Sequence, residues 1–340
     1  MTSISQADRS LGLSGPTVAP IGLGLMGMSD LYGPADETES IATIDAALER
    51  GVTLFDTGDF YGTGHNEMLL RDALRGRRRE NVVISVKFGV LRGPDHAFIG
   101  IDTRPVAVRN SLAYSLRRLG TDYVDIYRPA RLDPTVPIED TIGALADLVQ
   151  QGYIRHIGLS EVGADTLRRA QAVHPISDLQ IEYSLISRGI EDLILATARE
   201  LGIGITAYGV LSRGLLSGHW SDQNPQKAGQ GRDFRANLPR FTGENLQRNL
   251  AVVEALRTIA DSTGGTVAQV AIAWVLSRGQ DIVPVMGARR RDRLDETLAA
   301  GDLRLSDEQL AAIEAAAPTD AIAGDRYDPR QMAMLDSERA

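Results

Sequence analysis

The chain has 340 residues, is 43% hydrophobic, and sets 36 basic against 45 acidic side chains for a formal net charge of −9. That length and apolar content suffice for one full core, since α/β barrels of this size are single units. The acidic balance argues against a general binder of nucleic acid or anionic membranes, and the absence of cysteine removes disulfides, thiolate chemistry and cysteine-held metals.

The opening "MTSISQADRSLGLSG" is polar and reads as no signal peptide. No run approaches the length of a membrane span, so a cytoplasmic protein is expected. "SLGLSGPTV" predicts a small hairpin, followed by a first strand over Val18–Leu23. "GLGLMG" at Gly22–Gly27 satisfies the dinucleotide pattern GxGxxG, but that pattern needs a helix opening at its glycines. Here "MSDLYGPADE" intervenes, so the glycines are expected to turn the backbone at a strand mouth.

Further strands are predicted over Thr53–Phe55, Val82–Val86, Tyr123–Tyr127, Ile154–Leu159, Leu179–Ile181, Gly204–Ala207 and Asp281–Val285. Between them, "ETESIATIDAALERG", "RPVAVRNSLAYSLRRLG" and "VPIEDTIGALADLVQQG" carry apolar residues at helical spacing and close on glycine. Eight strands alternating with helices predict a closed (β/α)8 TIM barrel. Outside the repeat lie the hairpin, a long polar segment over 209–243, an extra helix near Asn245–Ala260, and the mixed tail "AIAGDRYDPRQMAMLDS". No interdomain linker separates these parts, so residues 1–340 read as one domain.

In such a barrel the carboxyl ends of the strands carry the active site. "TLFDTGDFYG" empties a buried strand into Asp56, Asp59 and Tyr61, and "NVVISVKFG" ends its strand with Lys87. Only two lysines, Lys87 and Lys227, stand against 34 arginines, so a lysine kept inside an apolar strand points to a need for a compact ammonium. Making a tyrosine about 100- to 1,000-fold more acidic takes about 3–4 kcal/mol. A cation about 4 Å away supplies that at an effective dielectric of about 20. Burial would discharge Lys87, so Asp56 is expected to hold it charged from the side away from Tyr61. Tyr61 then serves as general acid for carbonyl reduction or base for alcohol oxidation; Asp59 reads as a loop carboxylate.

These residues, with "GLGLMGMS", "FDTGDFYG" followed by "NE", "ISVKFG", "GYIRHIGLSE", "LQIEYSL" and "GARRRDRLDET" in this order, make the chain similar to the aldo-keto reductase superfamily. The resemblance implies metal-free hydride transfer at the barrel mouth with NADP(H), NADPH being preferred over NADH, on a small-molecule carbonyl or alcohol. Its tyrosine, lysine and aspartate match Tyr61, Lys87 and Asp56. It implies nicotinamide stacking on Tyr208, carboxamide contacts from Ser160 and Gln180, and cofactor contacts from Gly24, Leu25, Met26 and Asp56. Gly209, Val210, Leu211, Arg213, Gly214 and Ser217 follow strand seven. Gly287, Ala288, Arg289, Arg293, Glu296 and Thr297 form the phosphate end, with Arg293 at the 2′-phosphate position. The cluster Arg289, Arg290, Arg291 and Arg293 near a helix start is a favourable anion site on charge grounds. Tyr61, Phe88 and Ala130 are expected to meet substrate.

The sequence departs from the family where a glutamine–histidine pair usually ends strand four: "DIYRPARLDP" puts Pro129 and Ala130 there. A lost oxyanion donor costs about 10²–10³ in rate. Arg128, Arg131, His65 or water are the candidate substitutes, although Arg131 is expected in a structural ion pair. His156 is expected in the core or at the barrel floor; His96, His174 and His219 have no assigned part. Glu161 stands where asparagine is common. Two other readings remain: a catalytically weak or inactive nicotinamide-binding regulatory module, and an isomerase or aldolase barrel using Lys87 as a Schiff base.

Overall fold

The computed structural model describes residues 7–29, 31–220 and 234–339. The first six residues of the polar opening and 221–233 of the predicted long segment, Lys227 included, lie outside them.

The hairpin is β1 (Arg9–Ser10) and β2 (Thr17–Val18), paired antiparallel. Eight parallel strands then close a barrel: β3 (Gly22–Gly24), β4 (Leu54–Gly58), β5 (Val83–Phe88), β8 (Val124–Pro129), β9 (Ile154–Ser160), β10 (Ile176–Glu182), β11 (Gly204–Tyr208) and β12 (Ile282–Gly287), with β12 returning to β3. A second hairpin, β6 (Val90–Arg92) and β7 (Phe98–Ile101), follows β5. All eight predicted strands exist, but the stretch Val18–Leu23 is two elements: β2 ends at Val18, and β3 begins at Gly22.

The connecting helices are α1 (Glu37–Glu49), α2 (His65–Ala73), α3 (Pro105–Leu119), α4 (Ile138–Gln150), α5 (Ala164–Val173) and α6 (Ile194–Glu200). They continue with α7 (Gly243–Thr263), α8 (Val267–Ser277), α9 (Arg291–Ala299), α10 (Asp307–Ala316) and, in the tail, α11 (Pro329–Met332). Their caps follow the chemistry of the sequence. The Asp36 side chain accepts from the Glu39 N–H at the start of α1, and α3 closes on Gly120 at φ +64°, a conformation that suits glycine. No single helix among the described residues is long and apolar enough to cross a membrane.

Alternation along the strands sorts the residues into layers. Phe55, Ile84, Val86, Tyr127, Ile157, Leu159, Leu179 and Ile181 join the large core shared with the helices. Leu54, Ile126, Val283 and Val285 form a separate cluster closed by Leu11 and Val18 of the hairpin. This apolar plug, worth about 1.5–3 kcal/mol per fully buried aliphatic side chain, makes the barrel a packed core rather than a pore. Above it the same register turns polar, with Asp56 beside Ser85, Lys87 beside Arg128, and Gln180 beside Ser160. The site is built on that layer.

Candidate active site

Asp56 and Lys87 are each 5% exposed, and the Lys87 ammonium donates to Asp56 Oδ2 at 2.5 Å. Asp56 Oδ1 accepts from Ser85 Oγ at 3.0 Å and Gln180 Nε2 at 2.8 Å. A buried carboxylate is therefore held by three donors from two further strands, as burial of charge requires. Burial pulls the Lys87 ammonium below its ordinary value, and Asp56 opposes it. Below, Arg128 is wholly buried, paired with Asp178 at 2.9 Å and donating to Ser85 Oγ at 3.0 Å. Arg128 thus belongs to the barrel interior and does not substitute for the missing histidine.

Tyr61 begins the short turn Tyr61–Gly64, in which Gly62, Thr63 and Gly64 all have positive φ. A Cβ on Gly64 would come within 2.5 Å of Arg118 Cδ, so glycine is required for the close approach. The "NE" of the sequence motif anchors this turn from behind. Asn66 Nδ2 donates to Leu25 O at 2.8 Å and its Oδ1 accepts from Thr57 Oγ1 at 2.6 Å, while Glu67 pairs with Arg118. Lys87 Nζ sits 5.0 Å from the centre of the Tyr61 ring, within cation–π range. Burial nevertheless pushes the Tyr61 phenol well above its ordinary value; Asp56 adds to this and Arg131 opposes it. This corrects the expectation of a phenol made acidic by Lys87. The ammonium is engaged by Asp56, and the low-dielectric mouth favours the neutral phenol.

Asp56, Tyr61 and Lys87 open onto a cavity of about 690 Å³. The same cavity is lined by Gly24, Met26, Ala130, Ser160, Gln180, Tyr208, Gly209, Val210, Leu211, Arg213, Gly214 and Ser217, and by Gly287, Ala288, Arg289, Arg293, Glu296 and Thr297. Two expected residues do not reach it. The Leu25 side chain is wholly buried in the core shared with the helices. Phe88 is wholly buried too, stacked on Tyr127 with centroids 4.3 Å apart, because its place next to Lys87 on β5 turns it outward under the helices.

At the far end, Arg289, Arg290 and Arg293 line the cavity near the start of α9. Arg290 pairs with Asp292 and Arg293 with Glu296 at 3.0 Å. Arg291 turns instead to Glu39 on α1 at 3.0 Å. His219, given no part by the sequence, also lines the cavity and meets Arg293 Nη1 at 2.5 Å. His65 is bonded to Ser29 at 3.0 Å and does not line the cavity.

Where the histidine was expected, Pro129 ends β8 and Ala130, 2% exposed, forms part of the cavity wall. Arg131 lies in the wall as well, donating to Ala130 O at 2.7 Å and towards Tyr327 Oη at 3.4 Å. It makes no ion pair among the described residues, contrary to expectation. Glu161 has φ +54°, the left-handed conformation in which asparagine is favoured, and its carboxylate is clamped by Arg326 at 2.9 and 2.7 Å. It also accepts from Tyr208 Oη at 2.6 Å and Ser337 Oγ at 2.7 Å. Burial would raise Glu161, but Arg326 holds it down to about 2. Asp59 is the reverse case: burial, then Glu67, pushes its carboxyl up to about 7.

The sequence reading missed Tyr32, Phe60, Arg92, Phe98, Trp220, Arg235, Tyr327, Gln331 and Met334, which also line the cavity. Tyr32 sits in "DLYGP", where breakers flag a turn, and the tail residues sit in a segment flagged as irregular. Arg92 and Phe98 carried no signal, because the second hairpin was not recognised.

Comparison with known proteins agrees with this architecture. The Aldo/keto reductase family matches residues 20–318. "Probable aldo-keto reductase 1" of Glycine max is 40% identical over 331 residues, covering 96% of this chain and 93% of that protein. Among solved structures, a glycerol dehydrogenase from Gluconobacter oxydans superposes with a TM-score of 0.82 at 27% identity, covering 92% of this chain and 96% of its own. An aldo-keto reductase from Bacillus halodurans in its holo form reaches 0.75 at 26% identity, covering 92% and 96%. The family consists of oxidoreductases of carbonyl and alcohol groups that generally use nicotinamide cofactors. With its profile matched over most of its length and a barrel of the same architecture, this chain belongs to the aldo/keto reductase family.

Proposed function

We propose that this protein is an NADP(H)-dependent oxidoreductase interconverting aldehydes or ketones and alcohols, with Tyr61 as general acid and base. The supporting observation is the convergence of Asp56, Tyr61 and Lys87 with Ser160, Gln180, Tyr208, Arg289, Arg290 and Arg293 on one cavity. The donor set fits such a cofactor. Glycine backbone at Gly24 and Gly287 permits close approach, Tyr208 offers an aromatic face, and Ser160 and Gln180 offer polar groups for an amide. Arg289, Arg290 and Arg293 suit phosphates, guanidinium being the better partner for a phosphate fork. A bound reduced nicotinamide would supply the hydride.

The residues do the rest. A phenol held above its ordinary value is fully protonated at neutral pH and ready to donate to the alkoxide-like oxygen that develops during reduction. Burial and Asp56 disfavour the phenolate left after donation, while the charge of Arg131 favours it, so the phenol regains a proton readily between turnovers. Oxidation needs that phenolate at the start and is therefore favoured by higher pH. Replacing Tyr61 with Phe should lower the rate of NADPH consumption with any carbonyl by about 10²–10⁴, with NADPH affinity preserved. A variant retaining most of the wild-type rate would move the acid elsewhere.

Ala130 gives substance to a second reading, a nicotinamide-binding module with little turnover, because the wall lacks the donor its relatives place there. Stopped-flow mixing of the NADPH-loaded protein with a carbonyl panel separates the two. Tight NADPH binding without oxidation of the cofactor by any panel member would favour the module.

A further inference from the structure

The charges around the cavity do not balance evenly. Lys87 is paired with Asp56, Arg213 with Glu182 at 3.4 Å, Arg290 with Asp292, and Arg293 with Glu296. Arg131 and Arg92 line the same space and meet no carboxylate among the described residues. Of the five N–H donors of a guanidinium, Arg131 uses one on Ala130 O and one on Tyr327 Oη. Arg92 uses one, on His96 O at 3.2 Å. Glu161 acts on Arg131 through space, but its oxygens are already engaged by Arg326, Tyr208 and Ser337. A partly buried cation with spare donors is stabilised by an incoming anion.

The barrel order says which anion. Arg131 lies two residues after the end of β8, and β8 stands four strands from β12 in either direction around the ring. The arginines suited to cofactor phosphates belong to the segment after β12. Arg131 therefore lies across the barrel from them, on the side where Tyr61 feels its charge; Tyr61 likewise acts on Arg92. Phe60, Val90, Phe98, Ala130 and Met334 add apolar surface to the same cavity.

Building on the carbonyl–alcohol reading, we propose that the substrate carries a carboxylate besides its carbonyl, on an aromatic or branched body, and that Arg131 binds that carboxylate with Arg92 as the second cation. The carboxylate is a handle and is unchanged by the reaction. The carbonyl takes a hydride from the reduced nicotinamide and a proton from Tyr61, giving the hydroxy acid and oxidised cofactor. Loss of the histidine at Ala130 fits this reading, because the alanine leaves room for a body seated between Tyr61 and Arg131.

The test compares 4-formylbenzoate with its methyl ester, following NADPH consumption by the wild type, Arg131→Gln and Arg131→Lys. For the wild type, kcat/KM for the acid should exceed that for the ester about 10- to 100-fold, mostly through KM, as a charge-assisted pair predicts. Arg131→Gln should bring the ratio close to one, and Arg131→Lys should retain part of it. An ester used as well as the acid, or a ratio indifferent to Arg131, would overturn the proposal. So would an equal loss of NADPH affinity in Arg131→Gln, which would assign the arginine to the cofactor. Titration of the NADP-loaded protein with benzoate, read by tryptophan fluorescence, needs no turnover. Benzoate binding lost in Arg131→Gln with neither aldehyde reduced would sink the redox reading and leave the carboxylate site standing. Absence of benzoate binding to the wild type would sink the site, whatever the turnover.

Discussion

Two buried charge clusters adjoin the cavity, one lining it through Asp56, Lys87 and Gln180 and the other reaching it through Arg213, and they are built in opposite ways. Asp56, Ser85, Lys87 and Gln180 come from barrel strands β4, β5 and β10, and their positions follow from strand register. The other cluster gathers Glu161 and Glu182 from the ends of β9 and β10 with Arg326 from the tail, Arg213 after β11 and Arg240 before α7. Its central pair, Arg326 and Glu161, is 165 residues apart in sequence. The first cluster keeps a small ammonium beside a phenol and has three donors on one carboxylate. The second is made of planar forks and binds the tail over the site, with Tyr327, Gln331 and Met334 of that tail in the cavity wall. Burial of charge by itself therefore does not mark chemistry. What differs is whether the charge faces a reacting group or another part of the chain.

Mutations can break this contrast. Arg326→Met should be the most costly for the fold, by about 3–5 kcal/mol, because it leaves Glu161 buried without its guanidinium. Lys87→Met should cost the fold less, since Asp56 keeps its bonds from Ser85 and Gln180, yet abolish most activity. Denaturant unfolding together with NADPH turnover separates the two effects; equal loss of stability in both variants would erase the distinction. The Arg326 effect also has a pH signature. Glu161 is depressed to about 2 from an ordinary value near 4.5, so its contribution is full above about pH 4.5 and is lost as pH falls through about 2.

A smaller effect sharpens the role of the α9 arginines. Arg293→Ala should weaken NADPH by about 10-fold, about 1.4 kcal/mol, while leaving NADH nearly unaffected. Equal weakening of both, measured by fluorescence titration, would place the 2′-phosphate elsewhere.

A separate effect concerns Asp59, which neither cluster uses. Its carboxyl is raised to about 7, so the folded protein holds the proton more tightly than the unfolded chain. Stability from this group is thus greatest at low pH and declines as pH rises from about 4 to about 7. Asp59→Asn should stabilise the protein at pH 8 and converge with the wild type near pH 4. Thermal melts that show the same difference at both pH values would contradict the assignment.

The barrel and its polar strand ends were readable because they rest on short-range patterns. Alternating apolar runs and glycine-closed helices announce βαβ units, and Asp56, Lys87 and Tyr61 stand at their ends. The same local reading could not tell an outward residue from an inward one at the barrel mouth, so Phe88 was misplaced where Lys87 was not. It also could not foresee the sign of the Tyr61 shift, because desolvation depends on what covers the phenol.

Spacing along the chain was enough to specify the eight-stranded scaffold, because strand and helix periods are properties of neighbouring residues. The pairing of Glu161 with Arg326, the lack of a carboxylate partner for Arg131 and Arg92 among the described residues, and the raised phenol of Tyr61 were settled only on folding. In a chain with 34 arginines, which guanidinium meets which carboxylate depends on long-range closure and burial, and neither is written in local order.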